Sequence, residues 1–185
     1  LHAVYSYYLY DRGDYAHQPL MHGPMLFHLT AFGYWLFGAT DATARLVPAL
    51  LGIAIAASPW FFRRWIGEKG ALVTSFLLFI SPTMLYYSRF IREDIFMAAW
   101  TVIIVYGMWK YLADGQDVDL YIMVAGWALA FSQKEVSFML AAVLWTMWLA
   151  MLGYHWYRAR GRLPLREMRE FHLMVVLGGI LLPHT

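Results

Sequence analysis

Two long stretches without a charge, Gly70–Ser88 and Ile95–Trp109, enclose six residues that hold Arg89, Arg92, Glu93 and Asp94. Soluble domains spread their charges over every solvent-facing turn, because long charged side chains are rarely buried. Clumping between uncharged runs instead fits a hairpin of membrane helices whose turn carries the charges. Ionisable groups at such a place are costly unless paired or put to use. The stretch Ser81–Asp94 is therefore where a functional site is expected. Composition agrees, with 61% hydrophobic and 14% charged residues, against about half and about a quarter in soluble domains. The chain reads as an all-α polytopic transmembrane helical bundle. With no cysteine, disulfides, thiolate zinc sites and a cysteine nucleophile are excluded.

Leu1–Gly23 lacks the apolar continuity of a span. Tyr5, Tyr7, Tyr8, Tyr10 and Tyr15 alternate there with Asp11, Arg12, Asp14, His17 and His22, a mixture suited to a membrane–water interface. It reads as an interfacial loop, either passive or in contact with a ligand. Pro24–Gly38 is apolar, with Pro24 placed for a first helical turn. At 1.5 Å per residue it reaches roughly 22 Å, short of the roughly 30 Å hydrocarbon core. An interfacial helix over about 24–38 is expected, a short tilted span being the other reading. Spans are expected over 46–62, 70–88, 95–112, 120–133, 136–157 and, cut short, 171–185. The start at Leu1 and the truncated last run lead us to expect a fragment of a longer protein, lacking material at both ends.

Alternation of these spans fixes an orientation. Arg63, Arg64, Lys69, Lys110 and the five arginines from Arg158 to Arg169 collect on one side, nine positive residues in all. Arg89, Arg92 and Lys134 collect on the other, joined by Arg12 and Arg45 if Pro24–Gly38 does not span, which makes five. The positive-inside rule makes the first side cytoplasmic. Residues 1–44 then form an extracytoplasmic first loop ahead of a transmembrane domain over 45–185, in a multi-pass protein of the cell membrane. The Arg89–Asp94 cluster and the Lys134–Glu135 turn share the outer face with that loop.

Arg89 and Arg92 are three apart, so in a helix they share a face. Two guanidiniums so placed can grip a phosphate or pyrophosphate. Glu93 and Asp94 suit a metal, a hydroxyl or simple neutralisation of the arginines; a self-contained turn pairing Arg89 with Glu93 is the alternative. Lys134 adds to an anion site, or with Glu135 forms a charge pair at a helix end. His17 and His22 have no third ligand nearby, which leaves a zinc site only weakly signalled. The basic run Arg158–Arg169 reads as a topology signal, and no nucleic-acid partner is expected. Gly-rich phosphate loops, a nucleophile elbow and HExxH are absent from the sequence.

Three segments in order, HGPMLFHLTAFGYWLFG (His22–Gly38), ARLVPALLG (Ala44–Gly52) and SPTMLYYSRFIREDI (Ser81–Ile95), resemble the GT-C superfamily of membrane glycosyltransferases. These are the protein O-mannosyltransferase and aminoarabinose-transferase type enzymes. Within it the chain is most similar to a prokaryotic mannosyltransferase-like family associated with flippases. The resemblance implies a sugar moved from a polyprenyl-phosphate donor to a lipid, glycan or protein acceptor on the outer face. It places an acidic pair, including the main catalytic acid, just upstream of Leu1, so the fragment alone is expected to be inactive. It matches His22–Pro24 to an HPP-like element, with Gly23 replacing the first proline. Asp94 matches the second acidic position, and is also the tentative ligand of a divalent metal ion. Lys134 matches a lysine in a TKG element that here reads QKE.

The implied mechanism is inverting: the upstream carboxylate acts as base, and cations stabilise the leaving phosphate. Asp94 is then the catalytic candidate, and His22, Arg89, Arg92 and Lys134 the substrate-binding ones. Glu93, Glu135, Tyr15 and His17 complete the candidate contacts. The donor's isoprenoid tail would lie in the bilayer between apolar helices. The rival readings are a flippase or transporter of lipid-linked glycans and a non-catalytic assembly subunit with the same fold. A flippase should carry charges along its spans, and 46–62 and 70–88 carry none.

Overall fold

A computed structural model describes residues 2–13, 23–158 and 168–181. Among these residues the regular structure is entirely helical. The elements run α1 (His2–Arg12), α2 (Met25–Phe37), α3 (Asp41–Ala57), a 3-10 turn (Ser58–Phe62), α4 (Arg63–Ile80), α5 (Pro82–Tyr87), α6 (Glu93–Asp114), α7 (Asp117–Phe131), α8 (Val136–Arg158) and α9 (Arg169–Leu181). The chain divides into two compact units, Leu1–Val102 with Leu129–Lys134, and Ile103–Ala128 with Glu135–Thr185.

In the first unit, the tyrosine-rich stretch expected as a loop contains helix α1. Its stabilisation is tertiary: His2 and Tyr5 lay their rings against Phe27 at 5.8 and 6.2 Å between centroids, and Tyr10 against Tyr34 at 6.2 Å. Aromatic pairs at these separations add attraction beyond simple burial. α2 buries Leu26, Phe27, Thr30, Ala31 and Tyr34, while Phe32, Trp35, Leu36 and Phe37 stay exposed. Thr40 then starts α3 by accepting a hydrogen bond from the Thr43 N–H at 3.1 Å, one of the donors a helix start leaves unsatisfied.

The expected span 70–88 is interrupted. α4 stops at Ile80 because Pro82 disfavours helical geometry in the residue before it. Ser81 is extended, and its hydroxyl caps the short α5. Gly67, at φ 74°, breaks α4 near its start, a conformation that glycine adopts without steric cost. Beyond Gly67 the helix exposes Leu72, Val73, Phe76, Leu77, Phe79 and Ile80. Apolar surface this continuous marks a lipid or protein contact.

The second unit is organised by close helix approach. A Cβ placed on Gly107 of α6 would lie 2.7 Å from the Met123 backbone nitrogen and 2.9 Å from the Asp119 carbonyl oxygen of α7. A Cβ on Gly126 of α7 would lie 2.9 Å from the Ile104 side chain and 3.2 Å from the Ile104 backbone nitrogen of α6. Small residues at such crossings are how membrane helices gain packing where lipid is as apolar as leucine. Asp119 is fully buried and pairs with Lys110 at 3.0 Å. α9 is tied to α6 by Arg169 donating to the Leu112 carbonyl at 2.7 Å and by the Tyr111 hydroxyl–His172 Nδ1 hydrogen bond at 2.8 Å. Trp145 of α8 donates to the Met174 carbonyl at 3.2 Å.

Three helical stretches, Asp41–Ile80, Glu93–Asp114 and Val136–Arg158, are long and apolar enough to cross a membrane. The protein is an all-α polytopic helical membrane protein. Gly107→Val is expected to lower stability by about 1–3 kcal/mol, the usual cost of overpacking. Gly153→Val, where a Cβ meets nothing within 4 Å, is the control. Thermal melts of detergent-solubilised protein compare them, and equal melting temperatures would refute the close packing of α6 on α7.

Candidate functional site

The charges of Ser81–Asp94 lie in the first unit, where the structure separates them into two groups. Residues 88–92 form a turn between α5 and α6. The Ser88 and Arg89 N–H groups donate back to Met84 and Tyr86, and the Arg92 N–H to Phe90. Arg89 and Arg92 therefore lack the helical geometry that would put them on one face.

Arg89, Phe90 and Ile91 form one wall of a cleft of about 200 Å³. Asp41, Ala44 and Arg45, in the first turns of α3, form another, and His2 and Ala3 of α1 contribute the rest. The walls come together because Gly52 of α3 faces Ser88 so closely that an added Cβ would lie 2.5 Å from the serine Cβ. Arg45 and Arg89 make no ion pair among the described residues. The proposed self-pairing of Arg89 with Glu93 is thus absent. The cleft holds two guanidiniums against one carboxylate. Burial, with a smaller contribution from the Asp41 carboxylate, pushes the nearby Tyr34 phenol above its ordinary pKa.

Asp94, in the first turn of α6, is the centre of the second group. Its Oδ1 accepts from Lys134 Nζ at 3.1 Å and its Oδ2 lies 3.3 Å from Arg92 Nε. The Arg92 guanidinium also lies over the Tyr87 ring at 5.8 Å. Both carboxylate oxygens thus face cations. No group of three or more acidic or histidine side chains converges among the described residues. Among the described residues the Asp94 carboxylate is thus neutralised by Lys134 and Arg92 rather than joined by a set of further metal ligands. Glu93 is buried beside Asp94, and Glu135 is exposed after Lys134. Tyr15, His17 and His22 lie outside the described residues.

The Lys134 turn is also where the chain enters α2. The Gly23 N–H donates to the Gln133 carbonyl at 2.8 Å. A Cβ on Gly23 would collide with the Ser132 carbonyl. The replacement of the first HPP-like proline thus has a local cause: this position needs an N–H and no side chain. Sequence reading missed Arg45 as a cleft residue. Its signal was present in ARLVPALLG, but its meeting with Arg89 depends on the packing of Gly52 against Ser88.

The first unit thus holds both a cleft lined by Asp41, Arg45 and Arg89 and an ion network of Asp94, Arg92 and Lys134. The sequence model of the dolichyl-phosphate-mannose-protein mannosyltransferase family matches residues 21–179, and the chain belongs to that family. No curated protein and no solved structure matches the chain. Membership implies a mannosyltransferase-like membrane glycosyltransferase whose sugar comes from a dolichyl-phosphate type of donor.

Proposed function

We propose that the protein transfers a sugar, with inversion, from a polyprenyl-phosphate donor to a lipid, glycan or protein acceptor on the extracytoplasmic face of the cell membrane. The observation that carries this reading is a pair of arginines, Arg45 and Arg89, that line one cleft and make no ion pair among the described residues. With two guanidiniums against the single Asp41 carboxylate, the cleft keeps N–H donors to give to phosphate oxygens in charge-assisted, bidentate hydrogen bonds. The first turn of α3 adds backbone N–H groups and the positive end of a helix dipole.

In this reading the donor phosphate sits between Arg45 and Arg89. Asp94 holds Lys134 and Arg92 near the bond that breaks, where positive charge stabilises the departing phosphate. An inverting transfer further needs a general base to take the proton of the acceptor hydroxyl. The lipid tail lies along the exposed apolar faces of the helices. The outer-face assignment is supported by the lysine and arginine distribution.

The test is transfer from polyprenyl-phosphate mannose by the full-length protein in proteoliposomes. Arg45→Ala and Arg89→Ala are each expected to raise the donor KM by about 10- to 100-fold, the worth of one hydrogen-bonded charge contact. Unchanged KM in both variants would remove the cleft from the donor site. A wild-type protein that transfers no sugar but moves lipid-linked glycan between leaflets would replace the enzyme reading by the flippase.

A further inference from the structure

Asp41–Ile80 is helical over 40 residues. At 1.5 Å per residue that is about 60 Å, twice the roughly 30 Å hydrocarbon core. The run does not continue straight. α4 and α5 return along α3, and Gly52 of α3 meets Ser88 after α5. The reversal comes at Gly67, where φ is 74°. Ser58–Lys69 is therefore the corner of an apolar helical hairpin, which places it at the membrane edge. Its inner side is anchored: Ser58 and Pro59 are buried, and the Ser58 hydroxyl donates to the Ile55 carbonyl at 2.7 Å. Its outer side exposes Trp60, Phe61 and Ile66 together with Arg63, Arg64 and Lys69. Against these three cations the corner has one carboxylate, that of Glu68.

Arg63 is held in a fixed orientation. Its guanidinium lies over the exposed Trp60 ring at 4.9 Å, and its Nη1 donates to the Trp60 carbonyl at 3.0 Å. A guanidinium has five N–H donors in a planar fork, so most of them face outward. We propose that this corner binds the headgroup of an anionic phospholipid, with the Arg63 fork on its phosphate and Trp60, Phe61 and Ile66 against the upper acyl chains. Tryptophan favours the headgroup level of a bilayer, and a fork already oriented by stacking loses less freedom on binding. A free phosphate would leave the three apolar side chains uncovered; a lipid covers them. A choline headgroup would bring a further positive charge to a corner that already has an excess of them. The site is separate from the cleft, which uses the opposite end of α3 through Asp41, Ala44 and Arg45.

The experiment is native mass spectrometry of the full-length protein in detergent, titrated with phosphatidylglycerol or with phosphatidylcholine of the same acyl chains. Wild type should retain one phosphatidylglycerol with at least about 10-fold preference, and Arg63→Ala should lose that factor. Arg63→Lys keeps the charge but not the stacked fork, and should lose most of it. Arg64→Ala and Arg45→Ala remove the same charge elsewhere and should stay within about 5-fold of wild type. Excess inorganic phosphate should not displace the lipid. Equal affinity of wild type for the two lipids overturns the proposal, as does wild-type affinity in Arg63→Lys. Equal losses in Arg63→Ala and Arg64→Ala would replace the site by diffuse charge attraction. A loss in Arg45→Ala alone would move the lipid to the cleft, and displacement by phosphate would leave a bare anion site; either result also overturns it.

Discussion

Asp94→Asn is expected to lower kcat for sugar transfer by about 100-fold, the penalty that a small misplacement of reacting groups can carry. The donor KM and the melting temperature should change little. The expectation follows from what the carboxylate holds: Lys134 Nζ at 3.1 Å on one oxygen and Arg92 Nε at 3.3 Å on the other. Asparagine keeps the shape but turns a neutralising charge into a neutral amide. Its NH₂ group also cannot accept from either cation. Both cations then lose their anchor. Stability should be nearly unaffected, because the Asp94 side chain is 32% exposed and partly exposed ion pairs contribute about 0–1 kcal/mol. Lys134→Met should reproduce the kinetic loss, and the double variant should be no worse than the more damaged single one, since both remove the same pair. Rates from single-turnover transfer assays decide it. A wild-type kcat in Asp94→Asn would reduce the ion network to a structural clasp.

Gly23→Pro, the change that would restore the first proline of the HPP-like element, should destabilise the protein by at least about 3 kcal/mol. Proline has no N–H to give the Gln133 carbonyl, which Gly23 now reaches at 2.8 Å. Its ring would also meet the Ser132 carbonyl, where even a methyl group does not fit. Gly23→Ala keeps the N–H and still collides, so it should fall between wild type and Gly23→Pro. Differential scanning fluorimetry in detergent gives the ranking. Equal melting temperatures for Gly23→Pro and wild type would show that the segment is not docked as described.

The membrane character of the fold was legible because it is a property of local runs. Ile95–Trp109 and Val136–Tyr157 are uncharged over helical lengths, and α6 and α8 contain them. The stop at Ile80 was also legible, through Ser81–Pro82, but the apolar residues on both sides invited one continuous span. α1 was not, because its tyrosines and charges carry no periodic apolar face and its order comes from rings on α2. The candidate site was legible as a list of residue types and not as an arrangement. Asp94 and Lys134 were both expected, yet nothing in their spacing of 40 residues pairs them. Arg89 and Arg92 were grouped by an assumed helix, and the turn over 88–92 sent them to different partners. Arg45 entered only as a charge that reports orientation.

The contact of Gly23 with Ser132 and Gln133 is made by backbone atoms alone. Mutation at 132 or 133 can therefore alter side chains without disturbing how the chain enters α2, whereas position 23 is fixed. The join is thus a main-chain feature, and the one side chain that it forbids is at position 23.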